Sequence, residues 1–168
     1  VVSISATAPA VVDGERYVWL GWTGTGTISY TGINNPASVT MNSPITQTAA
    51  WRHEYRLTMA TNYGTTTPSV GDHWYEAGSV VSISATSPST VDGERYVWNG
   101  WTGIGTISYT GMNNPASVTL NGPITETASW THQYRLTMAT NFGTTNPSVG
   151  EHWYDAGSVV SISATAPS

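Results

Sequence analysis

Polar and apolar residues alternate along much of this chain. The clearest run is Tyr55, Leu57 and Met59, with Arg56 and Thr58 between them. A period of two turns successive side chains to opposite faces, so this run predicts a strand with one face buried. Residues 62–71, which hold Gly64, Pro68 and Gly71, predict a turn, and a short second strand follows at 73–76. Residues 80–85 alternate again, with Val81, Ile83 and Ala85 inward and Ser82 and Ser84 outward. The loop at 88–93 ends on Asp92-Gly93, a strong turn dipeptide. Residues 95–101, Arg-Tyr-Val-Trp-Asn-Gly-Trp, predict an aromatic strand with Tyr96 and Trp98 inward. Gly100 there predicts a bulge that re-aims Trp101 into the same core. A glycine-spaced stretch over 102–111 contains the apolar Ile107 and Tyr109. Alternation returns at 116–120 and, past the Asn121-Gly122-Pro123 turn, at 124–130, where Ile124, Ala128 and Trp130 share one side. No stretch carries an apolar stripe of period 3.6, and Thr, Val, Ile, Tyr and Trp dominate. The expected fold class is therefore all-β, in small sandwich-like units with little or no helix.

The pattern recurs with a fixed period. VVSISAT stands at residues 1–7, 80–86 and 159–165, and residues 1–79 differ from 80–158 at 16 positions. Such a period predicts a tandem array of 79-residue units. The chain then divides into a partial repeat at 1–54, a complete one at 55–133 and a second partial one at 134–168. Comparing the copies adds detail: Leu20 stands where its counterpart is Asn99, so that position is expected to face solvent. Only three residues separate Trp130 from Tyr134, which opens the next unit. Successive units are thus expected at a fixed distance and angle, as a semi-rigid rod. The first part lacks the opening strands of a unit and the last part supplies them. Copies are accordingly expected to meet head to tail, either along a longer continuous polypeptide or by strand complementation between subunits. The overlap of residues 1–10 with 159–168 favours a cut through a longer periodic chain.

Composition narrows the setting. There is no Cys and no Lys, and charged residues make up 9% of the chain, against roughly 25% in ordinary soluble domains. Ser and Thr fill the gap, at 46 residues. Without Lys, the Lys–Asn cross-links of some surface fibres are excluded. A net charge of −5 with no basic stripe disfavours nucleic acid. No apolar run approaches the ~20 residues of a spanning helix, so membrane insertion is not expected. The chain does not begin with Met and shows no signal peptide, so any targeting segment is expected to lie outside it. Asn146-Pro147-Ser148 is not a glycosylation sequon, because Pro occupies its centre. Hydroxyl-rich strands lacking Lys and Cys fit an extracellular or cell-surface location.

Few residues invite a chemical role. Aromatic faces stack on sugars, but with one Phe in the chain, Trp and Tyr must supply most of the bulky core. Trp74, Tyr75, Trp153 and Tyr154, on short strands expected at a sheet edge, are the candidates for glycan or packing contacts. His73 with Asp72 and Glu76, and His152 with Glu151 and Asp155, make a poor zinc set, and Asp and Glu exchange between the two copies. They read better as solvated turn residues. The loops Asp13-Gly14-Glu15 and Asp92-Gly93-Glu94 lack the ligand count of a calcium loop. Gly100, Gly103 and Gly105 match neither a dinucleotide fingerprint nor a P-loop. No nucleophile–base–acid arrangement stands out, so no catalytic residue, cofactor site or metal site is assigned, and an enzyme is not expected.

Several motifs together resemble a known family. Tyr-x-Leu-Thr is followed by Trp-Tyr-x-Ala-Gly-Ser-x-Val-x-Ile-Ser-Ala. Arg-Tyr-Val-Trp-x-Gly-Trp-Thr-Gly, Asn-Pro-Ala-Ser-Val-Thr and Ile-Thr-x-Thr-Ala-x-Trp complete the unit over residues 55–130. This order resembles the divergent InlB B-repeat family, related to the Listeria–Bacteroides repeats of long bacterial and archaeal surface proteins. The resemblance implies a small β-rich, grasp-like unit in an extracellular array, with no catalytic residues to carry over. The expanded stretch at 102–114 departs from shorter members, and the grasp-type helix is expected to be lost or reduced to a turn there. The leading expectation is a non-catalytic structural repeat forming a stalk, fibre or filament, its partners being neighbouring copies of the same repeat. The alternative is an adhesive or carbohydrate-binding module that contacts surface glycans.

Overall fold

A computed structural model of the chain describes residues 1–167. It is all-β, with thirteen strands and no helix among the described residues. In chain order they are β1 (Val2–Ile4), β2 (Glu15–Thr25), β3 (Ala37–Val39), β4 (Thr46–Thr61), β5 (Thr65–Thr67), β6 (Gly71–Glu76) and β7 (Val80–Thr86). There follow β8 (Glu94–Ile104), β9 (Ala116–Thr119), β10 (Ile124–Met138), β11 (Thr144–Asn146), β12 (Gly150–Asp155) and β13 (Ser163–Thr165).

The main sheet is organised by its two longest strands. β4 pairs antiparallel with β2 through its first half and with β6 through its second. β10 does the same with β8 and β12. The two long strands also pair with each other, in parallel, from Ile124↔Leu57 to Ala128↔Thr61. Three smaller sheets accompany this one: β5-β7-β9, β1-β3 and β11-β13.

Alternation explains the core. Leu57 and Met59 of β4, Ile124, Ala128 and Trp130 of β10, and Trp101 of β8 point from the main sheet toward Ile83 and Ala85 of β7 and Ala116 and Val118 of β9. Leu120 closes the cluster, and Tyr55, Tyr75, Tyr96, Trp98 and Tyr109 pack on its margin. The predicted bulge is present. Trp98 faces Trp130 and Gly100 faces Ser129, leaving Asn99 as the extra residue. Gly100 has φ +102°, and a Cβ there would meet the Gly111 carbonyl at 2.8 Å, so the residue must be Gly. The bulge brings Trp101 onto the side of Trp98, ring edge to face at 5.6 Å. Leu20 and Asn99 are both exposed, as the exchange between them predicts.

Two expectations need correction. The sequence reading closes one strand at Trp130 and opens another at Tyr134, with a short link between. β10 instead runs unbroken through that point, and β4 runs unbroken through residues 54 and 55. The reason lies in the phase: Trp51, His53, Tyr55, Leu57 and Met59 keep one period of two throughout, and the polar residues between them do not interrupt it. The residues grouped with His73 and His152 as turn material lie instead on strands β6 and β12. The 102–114 stretch holds a turn, where exposed Ile107 takes φ +66°, and no helix.

Candidate functional site

The four aromatic candidates occupy two faces of the main sheet. Trp74 in β6 lies opposite Arg56 of β4, on the face that also carries Arg16, Arg52 and Glu54. The Arg16 guanidinium sits over the Trp74 ring, 4.3 Å from its centroid. Arg95 covers Trp153 in the same way at 4.4 Å. Each guanidinium is itself held. Glu54 accepts from Arg16 and from Arg52, both at 2.6 Å, whereas Arg95 donates to Gln133 at 2.7 Å and Gln133 donates on to Asp155 at 2.8 Å. One face of each indole is therefore occupied by a cation, an arrangement worth roughly 0.5–2 kcal/mol depending on exposure. Tyr75 points to the opposite face and packs against the core. Tyr154, its counterpart, borders an open groove.

The His clusters do not converge. His73 bonds the Ser69 carbonyl at 2.6 Å, and Asp72 accepts from the Thr58 hydroxyl at 2.6 Å. His152 bonds the Ser148 carbonyl at 2.7 Å. Among the described residues no three His, Asp or Glu side chains gather as a metal site. Asp13 and Asp92 are spent on ion pairs, with Arg56 at 2.8 Å and Arg135 at 2.7 Å.

Glu54 and Glu126 behave in opposite ways. Burial pushes the Glu54 carboxyl up, but the hydrogen bonds and charges of Arg16 and Arg52 together outweigh it and hold the group below its ordinary value. Glu126 is fully buried in β10, beside Met59 of β4. Burial pushes its carboxyl up, and a single 2.7 Å bond from the Tyr109 backbone N–H opposes this only in part. Its other oxygen is buried with no partner among the described residues. The sequence reading passed over Glu126, although its even spacing with Ile124, Ala128 and Trp130 places it on the core side.

Asparagine clamps were also missed. Where the β4–β10 pairing ends, Asn62 continues it with its side chain, accepting from the Trp130 N–H at 2.9 Å and donating to the Trp130 carbonyl at 2.7 Å. Asn114 holds both backbone groups of Ala85 in the same fashion, at 2.9 and 2.7 Å. A primary amide offers a donor and an acceptor side by side, so it stands in for one residue of a strand. Tyr63, next along, packs on Tyr96 and His132, at 5.0 and 5.9 Å between ring centroids.

Two open concavities lie at the C-terminal end. One of about 370 Å³ is bordered by Tyr134, Leu136, Tyr154, Val160 and Ile162 among others, and a neighbouring one of about 350 Å³ by Met138, Thr145, Ile162 and Ala164. Apolar side chains dominate both, although Arg135, Asp155 and Ser158 also border the first and Thr145 and Ser163 the second. No family model matches this chain, and no curated protein or solved structure matches it.

Proposed function

We propose that this chain is part of a non-catalytic structural array of a secreted or cell-surface protein, a stalk, fibre or filament whose units join head to tail. One observation carries the reading: β4 and β10 each cross a boundary of the 79-residue period without a break, and the two pair with each other in parallel. Successive units so connected share one hydrogen-bonded sheet and have no hinge between them. Stiffness then comes from backbone ladders, whose bending requires several hydrogen bonds to open together. The resemblance to divergent InlB B-repeats agrees with this role, as does a hydroxyl-rich surface with few charges. The adhesive alternative has less support, because a guanidinium already covers one face of Trp74 and of Trp153.

The test is small-angle X-ray scattering on this chain and on versions lengthened by one and two further periods. The expected outcome is a rod whose maximum dimension grows by an equal step with each added period. A scattering curve of flexibly jointed beads, or steps that shrink with length, would refute the reading.

A further inference from the structure

The two ends of the chain carry the separated halves of a contact that its centre shows assembled. In the centre, residues 57–61 of β4 pair in parallel with 124–128 of β10. The counterparts 79 positions away are 136–140, which offer the same strand edge, and 45–49, which offer the edge that receives it. Among the described residues neither counterpart edge has a strand partner.

Burial follows the same division. Leu57 and Met59 are fully buried, whereas Leu136 and Met138 are only half-buried. Ile83 is 0% exposed and its counterpart Ile162 is 63% exposed; Leu120 is 0% and its counterpart Met41 is 52%. The open groove beside Leu136, Met138 and Ile162 thus repeats one wall of the central core and lacks the other. That other wall stands at the N-terminal end, in Trp22, Ala37, Val39 and half-buried Ile45, Ala49 and Trp51. Two further pairs behave alike. Gly14 lies against Pro123, while Gly93 has nothing near it and Pro44 is exposed. Tyr63 packs on Tyr96 and His132, while its counterpart Phe142 is 76% exposed and Tyr17 and His53 have no such cover.

We propose that these surfaces are two halves of one interface between copies of this chain, so that residues 136–140 of one copy add in parallel to residues 45–49 of a second. The register is that of the centre, with Leu136 beside Ile45 and Ala49 beside Thr140. Asn141 then grips the backbone of Trp51, Pro44 covers Gly93, and Phe142 lies on Tyr17 and His53. The contact is heterologous and does not use the same patch twice, so it propagates into a filament rather than stopping at a pair. The proposal rests on the head-to-tail reading above and adds its register and contacts.

The interface also has a built-in competitor. In the centre, β7 serves both β9 and β5. At the ends those duties are divided: β1 pairs with β3, and β13 pairs with β11. Joining two copies brings residues 1–7 and 159–165 to one place, and one of the two segments must withdraw. β1 and β13 each hold only three residue pairs, so association is in equilibrium with the peeling of one of them.

The chain has no Cys, so a disulfide can be placed without interference. Thr46 and Thr137 are the counterparts of Thr125 and Thr58, which face each other across the parallel pair. Directly paired residues stand at a separation a disulfide can span. In this 168-residue chain, Thr46→Cys with Thr137→Cys is expected to give a ladder of covalent oligomers under mild oxidation. Thr58→Cys with Thr125→Cys should close within one chain and verifies the geometry. Thr25→Cys with Thr137→Cys, which removes the facing position, should give several-fold less product. Adding Asn141→Ala is expected to raise the dissociation constant about tenfold in sedimentation equilibrium, the loss of one to two net hydrogen bonds. Cross-linking no greater than in the mispaired control overturns the proposal. If that happens while lengthened chains still scatter as rods, the interface between copies fails and the structural reading stands. Cross-linking in register with flexible lengthened chains gives the reverse result.

Discussion

Glu126→Gln should stabilise this protein at neutral pH, although it removes a charge from a chain that has few. Glu126 is wholly buried, accepts one backbone bond from Tyr109, and leaves its second oxygen unpartnered among the described residues. An ionised, half-satisfied carboxylate in such a place costs the desolvation of an unmet acceptor, about 1–3 kcal/mol. Glutamine keeps the oxygen that Tyr109 needs and removes the charge, but its amide nitrogen is left equally short of a partner. The net gain is therefore placed in the lower part of that range, about 1–2 kcal/mol at pH 7, or roughly 2–8 °C in Tm for a chain of this size. Gln47 already occupies the counterpart position, so the amide fits the strand. The sign with pH is definite. A carboxyl raised in the folded state holds its proton more tightly than in the unfolded chain, so its contribution is most favourable below the ordinary carboxyl range. That contribution is lost as pH rises through the raised folded value. The advantage of the variant should accordingly be smallest at about pH 4, near the ordinary carboxyl range, and grow as pH rises. Urea unfolding followed by Trp fluorescence, at intervals from pH 4 to pH 8, measures it. An equal or less stable variant at pH 7, or a difference that does not change with pH, would show that Glu126 is neither strained nor preferentially protonated.

Other outcomes follow from the same structure. Trp101, 2% exposed at the centre of the core, should cost about 3–5 kcal/mol when changed to Ala, whereas Asn99→Leu on the exposed side of the same bulge should stay within about 0.5 kcal/mol, both by urea unfolding. Glu54→Gln should cost about 1 kcal/mol at pH 7, since burial of the carboxylate offsets much of what Arg16 and Arg52 contribute. The Glu54 carboxyl is held low in the folded state, so its contribution is present above the ordinary carboxyl value and fades as pH falls through the depressed one. The penalty of this variant should thus disappear in acid, opposite to the trend for Glu126, and a penalty that persists there would refute the ion-pair account.

Strand positions, burial faces and the Gly100 bulge were legible because they depend on local rules: period two, turn dipeptides and the need for positive φ. The unbroken course of β4 was also present in the phase from Trp51 to Met59, but Arg52, His53 and Glu54 look like a polar break until their alternate faces are separated. Pairing between β4 and β10 is a different matter. Alternation tells which face a residue takes and says nothing of which strand lies beside it, and Leu57 and Ile124 are far apart in sequence. The candidate contacts failed to be legible for the same reason. Nothing local to Trp74 announces that Arg16, two strands away across β4, will lie on its ring.

Differences between the copies bear on how the seam is maintained. At the charged face of β4 the pair Arg52 and Glu54 corresponds to Thr131 and Gln133 in β10. Either change alone would alter the balance: Glu with only one Arg beside it loses half its compensation for burial, and Gln between two Arg residues leaves both without an anion. Made together, the changes leave the net charge of the face unaltered, and Arg95 still reaches Trp153 while bonded to Gln133. The core side behaves differently. Leu57, Met59 and Ile83 recur unchanged as Leu136, Met138 and Ile162, although the latter three are exposed or half-exposed. A surface that stayed in water would tolerate Ser or Thr at those positions, which this chain uses freely elsewhere on its strands. Retaining Leu, Met and Ile there is what a buried wall requires, and the wall that would bury them is the one formed around Trp22, Val39 and Ile45.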